Sequence, residues 1–184
     1  GKWEGRKPGS YQWYEIQDTV DYYEGFEGPK IIFPDIAERP QFTIDAEGGF
    51  YNANTCYNVF INDTFLLGIL NSSLINFYYR NVAAVYRGGY LRFFSQYVEM
   101  LPIRPIDPAD PADVARRDRM VSLVETMLDL NRRLAGARTG ADKIFINREI
   151  EATDARIDAL VYDLYGLSEE EIARIEQAVL EERL

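Results

Sequence analysis

The chain has 184 residues, of which 47% are hydrophobic, 14% aromatic and 27% charged, enough to bury a core in one domain or two small ones. It holds no histidine and a single cysteine, Cys56, which excludes histidine-based catalysis, histidine-metal sites, an internal disulfide framework and a multi-cysteine zinc site. The 20 Lys and Arg against 30 Asp and Glu give a net charge of −10, which opposes non-specific binding to nucleic acid.

In chain order, Lys30-Ile31-Ile32-Phe33, bounded by Gly28-Pro29 and Pro34-Asp35, predicts a short buried strand. Phe42-Thr43-Ile44-Asp45 alternates as a second strand, and Gly48-Gly49 marks a turn. Phe50 to Ile61, with Tyr51, Tyr57, Val59 and Ile61 on one parity, predicts a half-buried strand or hairpin. Asn62 or Asp63 can cap a helix from Thr64 to about Tyr79, apolar around most of its circumference. Arg87-Gly88-Gly89 interrupts the pattern, and Tyr90 to Leu101 returns to aromatic and aliphatic character. No apolar run reaches the roughly 18 residues of a membrane span. With no signal-peptide pattern, the expectation is a cytoplasmic protein without a membrane partner. The missing initiator methionine points to a piece of a longer chain.

Residues 105–111 hold three prolines and read as a linker, because proline removes a donor and pushes its predecessor toward extended geometry. Beyond it, Met120, Leu123, Met127, Leu130 and Leu134 form an apolar helical seam, and Ile146, Ile150, Ile157, Leu160 and Leu164 form a second. Gly136 and Gly140 bracket the turn between them, Gly166 ends the second helix, and Ser168 to Glu171 is a capping box opening a third. Ile172, Ile175, Val179 and Leu180 give that helix its apolar face. The predicted class is α+β: a mixed, strand-rich domain over 1–104, then a helical hairpin with a short third helix over 112–184. The charge divides unevenly, with 9 basic and 12 acidic side chains in residues 1–105 against 11 and 18 in 106–184.

Familiar catalytic motifs are missing. There is no phosphate-binding glycine loop and no Gly-x-Ser-x-Gly elbow. Asp35, with no Asp/Glu-x-Lys after it, reads as a turn residue, and Cys56 as a small half-buried side chain. What remains is a set of polar side chains beside glycines and turns: Lys30, Arg39, Asn52, Asn54, Thr55, Arg87, Tyr90 and Arg92. Arginine forks onto guanine and asparagine onto adenine, while threonine and tyrosine meet phosphate or a thymine methyl. The same residues also suit an ordinary surface with its turns.

Five stretches narrow that choice. Pro29 to Ile36, Phe50 to Tyr57, Leu66 to Ser72, Arg87 to Phe93 and Leu101-Pro102-Ile103 together resemble the TaqI-like C-terminal specificity domain. That domain is the target-recognition module of adenine-specific DNA methyltransferases and fused restriction-modification enzymes. Ile157 to Ser168 is similar to the helical end of the same enzymes. The resemblance implies double-stranded DNA as partner, the eight polar residues above as its contacts, and an upstream methyltransferase domain in the same polypeptide. It implies S-adenosylmethionine for that domain and no cofactor here, since the chain has no Asn/Asp-Pro-Pro-Tyr/Phe motif; Asp107-Pro108-Ala109-Asp110-Pro111 is a superficial echo. The chain alone is then expected to lack methyltransferase and endonuclease activity and to bind DNA weakly at physiological salt. Two rival readings stand beside it: an acidic helical protein-interaction module without DNA contact, favoured by the heptad-like seam and the net charge, and a DNA-mimicking inhibitor whose functional feature is the −10 charge.

Overall fold

The computed structural model of the chain describes residues 9–15 and 23–181, the side chain of Arg87 excepted. A one-turn helix, α1 (Glu24–Glu27), leads into strand β1 (Lys30–Pro34), the centre of a three-stranded antiparallel sheet. Its neighbours are β3 (Thr43–Asp45) and β4 (Cys56–Val59), which set Ile44 and Val59 on either side of Ile31 and Tyr57 beside Phe33. Between β1 and β3, β2 (Ile36–Ala37) leaves this sheet to pair antiparallel with β5 (Leu91–Arg92). Strands this short cannot hold a sheet unaided. They share one hydrophobic cluster with helices α2 (Thr64–Leu70) and α3 (Ser73–Val82), centred on Ile31, Phe33, Ile69, Ile75, Tyr79 and Phe93.

Two predicted elements are corrected. Only Cys56–Val59 of the Phe50–Ile61 stretch is strand, and it pairs with β1. The Asp45 carboxylate draws the N–H groups of Gly48, Gly49 and Phe50 to itself at 2.9–3.2 Å, so this backbone folds around a side chain and not into a ladder. Tyr51 and Ile61 are exposed as a result. The helix predicted from Thr64 to Tyr79 is two helices. Asp63 caps the first, accepting from the Leu66 N–H at 2.9 Å. At its end the Asn71 side chain bonds both the N–H and the C=O of Phe42, at 2.9 and 3.0 Å. Ser72 then accepts from the Ile75 N–H and starts α3 in a new direction.

A buried ion pair locks the sheet. Lys30 and Asp45, 0% and 5% exposed, meet at 2.6 Å, and the Lys30 ammonium also donates to the Phe26 carbonyl at 2.7 Å. Lys30 therefore lies inside the fold, correcting its expected place on a DNA-facing surface. The Lys30 hydrogen bond, then the bond from the Phe50 amide, hold the Asp45 carboxyl well below the usual carboxylate range.

The second half follows the predicted seams. After the one-turn helix α4 (Ser95–Val98), helix α5 (Pro111–Gly136) begins with proline in its first turn and the Asp110 carboxylate accepting from the Ala112 N–H at 2.9 Å. Helix α6 (Gly140–Tyr165) runs antiparallel to it, as the pairs Arg116–Asp163 and Arg133–Glu149 at opposite ends require. Met120, Leu123 and Leu130 are buried from α5, with Ile146, Ile157, Leu160 and Leu164 from α6. Gly166 ends α6 in the left-handed conformation. Ser168 and Glu171 form the capping box that starts α7 (Glu169–Glu181), which packs on α3. The α+β arrangement with a helical hairpin and a short third helix is thus present.

The two halves meet closely. A Cβ on Gly68 of α2 would lie 2.7 Å from the Met120 sulfur and 2.8 Å from a Val124 methyl carbon of α5. On α6, the Asp158 carboxylate accepts from the Ser73 N–H at 2.8 Å and its hydroxyl at 2.6 Å. The proline-rich segment is held as well. Arg104 makes a two-point ion pair with the buried Asp113, and its N–H donates to the Tyr165 hydroxyl at 3.1 Å. That hydroxyl donates in turn to the Pro102 carbonyl at 2.7 Å. Among the described residues no helix is long and apolar enough to cross a membrane.

Two outcomes follow. Gly68→Leu forces α2 off α5 and is expected to cost about 1–3 kcal/mol in urea unfolding, the usual range for overpacking. Asp45 has a lowered folded pKa, so its contribution is full above the unfolded carboxylate pKa of about 3.9 and is lost as pH falls below it. Asp45→Asn should therefore unfold at lower urea than the unaltered chain at pH 7, with the difference narrowing in titrations near pH 3.

Candidate nucleic-acid interface

Asp35 occupies the single position between β1 and β2, where the chain passes from one sheet to the other. Its N–H donates to the Thr55 carbonyl at 2.9 Å, and its carbonyl accepts from the Phe93 N–H at 2.8 Å. Its carboxylate pairs with Arg92 at 3.0 Å. One residue in a turn thus ties the loop over 50–55 to the segment carrying Arg87, Tyr90 and Arg92. The sequence reading of Asp35 as a turn residue is right and incomplete, since nothing local signals a partner 57 positions away.

The second of those segments is a hairpin. Arg92 N–H donates to the Ala84 carbonyl, Val85 bridges to Leu91, and Tyr86 N–H donates to the Tyr90 carbonyl. At the tip, over Arg87–Gly89, Gly88 and Gly89 take φ of 78° and 83°, a left-handed path that only glycine follows without strain. The backbone of Arg87 opens this tip; its side chain lies outside the described residues. Val85, Tyr86 and Tyr90 are all exposed along the hairpin.

Arg92 is the best-held cation on this face. Its guanidinium lies 4.4 Å from the centre of the Phe94 ring and 5.8 Å from that of Tyr86. Tyr79, fully buried on α3, stacks on Phe93 at 4.4 Å and donates its hydroxyl to the Arg92 carbonyl at 2.9 Å. Beside it, a hydrogen bond to the Glu38 carboxylate, together with that group's charge, raises the Tyr90 pKa. Arg80 donates to the Glu38 carbonyl at 2.6 Å. Sequence reasoning missed Tyr79, Tyr86 and Phe94, which place Arg92; their aromatic character reads as core, and only the pairing of β2 with β5 brings them to this edge.

The remaining candidates divide. Asn52 braces its own loop through a bond to the Cys56 carbonyl at 2.9 Å, while Asn54 and Thr55 are exposed. Arg39 is exposed just past β2. The structure therefore brings Thr55 and Arg92 to Asp35, sets Tyr90 against Glu38 and leaves the backbone of Arg87 at the hairpin tip, with Asn52 and Asn54 on the loop that ends at Thr55; Lys30 is buried elsewhere. Residues 35–39, 50–55 and 80–92 together carry four basic and two acidic side chains, an excess of positive charge in a chain of net −10.

Residues 2–103 match the family model of the TaqI-like C-terminal specificity domain. The chain belongs to this family, the specificity modules of restriction-modification proteins. The match takes in both sheets, α2, α3 and the hairpin, and ends before the helical half. No curated protein matches the chain.

Tyr79→Phe keeps the ring stack and deletes the bond to the Arg92 carbonyl. The expected cost is about 1 kcal/mol, with faster amide exchange at Arg92 and Phe93 as the local measurement.

Proposed function

We propose that this chain is the target-recognition part of an adenine-specific DNA methyltransferase or fused restriction-modification enzyme, and that it reads duplex DNA with the loop over 50–55 and the hairpin over 84–92. The observation that carries the reading is the junction at Asp35, where two exposed loops with arginine, asparagine, threonine and tyrosine are anchored to one rigid turn within the family-matched region. Base readout requires such side chains on a fixed frame. Arg92 is already paired with Asp35 and packed against aromatic rings, so it orients the hairpin. The residues assigned to base edges and phosphates are the exposed Asn54, Thr55 and Tyr90, with Arg87, whose backbone opens the glycine tip.

Methyl transfer belongs elsewhere in this reading. The Asp-Pro stretch before α5 is occupied with its own backbone: Asp107 accepts from the Ala109 N–H at 2.8 Å and Asp110 from the Ala112 N–H. These residues do not fit a cofactor or adenine site. S-adenosylmethionine and the reacting base are assigned to an upstream methyltransferase domain of the same polypeptide. The rival reading as a helical interaction module loses one of its two supports, because the apolar seam of α5 is consumed against α6 and α2.

The test is selection from a pool of randomised duplexes at low salt, by the chain and by its Arg87→Ala variant. The chain is expected to enrich one sequence, and Arg87→Ala to lose discrimination at one base pair by about 1–3 kcal/mol. Unchanged discrimination removes Arg87 from the readout, and failure of the unaltered chain to enrich any sequence overturns the reading.

A further inference from the structure

The helical hairpin extends well past the body it braces. The α2 helix meets α5 at Met120 and Val124, and α3 meets α6 at Asp158. Met127 and Leu128 still pack on the main core cluster; from Leu128 to Gly136, α5 continues for 8 residues, about 12 Å at 1.5 Å per residue. Along this stretch Leu130 and Ile146 are buried, yet neither belongs to the main core cluster, so the two helices pack on each other as an arm.

The charge on this arm runs against that of the chain. Residues 131–148, which form its end, carry five basic side chains and one acidic, a net of +4; residues 149–184 carry a net of −8. Arg133 is engaged by Glu149 at 3.4 Å, and Arg132 reaches Asp129 only at 4.0 Å. Arg138, Lys143 and Arg148 are exposed and make no ion pair among the described residues. The acidic α7 packs on α3, at the other end of the hairpin. With a screening length of about 8 Å at physiological salt, the arm's end presents its own positive potential to a partner.

We propose that this end is a contact for duplex-DNA phosphates, set apart from the loops that read bases. The proposal rests on the reading of the chain as a DNA-recognition domain. Duplex DNA is the complementary partner, since it offers one negative charge per roughly 1.7 Å of axis and its backbone contacts need no sequence. A cationic foot at the end of a stiff arm would rest on duplex flanking the recognised bases. This also gives an acidic chain a local route to the backbone.

The measurement is the salt dependence of binding to a labelled random-sequence duplex of about 40 base pairs, over roughly 30–200 mM salt. Replacing Arg138, Lys143 and Arg148 together with alanine should make the log-affinity against log-salt slope shallower by about 2–3, at roughly 0.9 per phosphate contact. A variant with Arg138→Lys and Arg148→Lys, keeping Lys143, should retain the original slope. Arg117→Ala, an exposed arginine paired with Asp118 near the start of α5, should also leave it unchanged. An unchanged slope in the triple variant, or an equal change from Arg117→Ala, overturns the proposal. If the unaltered chain still enriches one sequence from randomised duplexes, only the arm contact has failed. If it neither enriches a sequence nor binds duplex at low salt, the recognition reading fails with it.

Discussion

Gly68 stands where α2 crosses α5, and the space its missing side chain leaves is filled by Met120 and Val124. The rest of the structure depends on this approach. Among the described residues no strand exceeds five residues, and sheets that small bury too little to fold unaided. Their apolar faces are completed by α2 and α3, which are backed by α5 and α6 within a single cluster running from Ile31 to Leu164. The recognition half and the helical half are therefore mutually dependent in their packing, although the family match covers only the first.

Polar side chains then fix where the apolar pieces sit. Burial alone is non-directional, and it would tolerate small slips of one short strand against another. Lys30 with Asp45 ties the ends of β1 and β3, Asn71 joins the end of α2 to Phe42, and Asp158 holds the start of α3. Each pair makes several hydrogen bonds in a set geometry, so each specifies one arrangement among those the core would allow. Asp35 works in the same way at the candidate interface, with its backbone and its carboxylate engaged at once.

What could be read from the amino-acid order depended on how local the physics was. The seams of α5 and α6, the αL glycine at Gly166, the Ser168–Glu171 box and the Asp63 cap are signals spanning a few residues, and all four are present. The break at Asn71 and Ser72 has a local part, the Ser72 cap on Ile75, and a part no local pattern shows, the bond of Asn71 to Phe42, 29 positions earlier. Lys30 reads locally as a cation beside a turn, yet only the register of β1 against β3 brings Asp45 to it. The candidate interface was legible as residue types and illegible as an arrangement, since the pairing of β2 with β5 spans more than 50 residues with no local sign.

The bonds of Tyr165 change how the proline-rich segment must be regarded. Its hydroxyl accepts from Arg104 and donates to the Pro102 carbonyl, while Asp113 receives Arg104 and the Asp107 N–H. A segment held by these bonds is a strut between the family-matched half and the helical half. It joins them as a brace and not as a tether. A partner that touched both halves would meet them at the one spacing this brace sets.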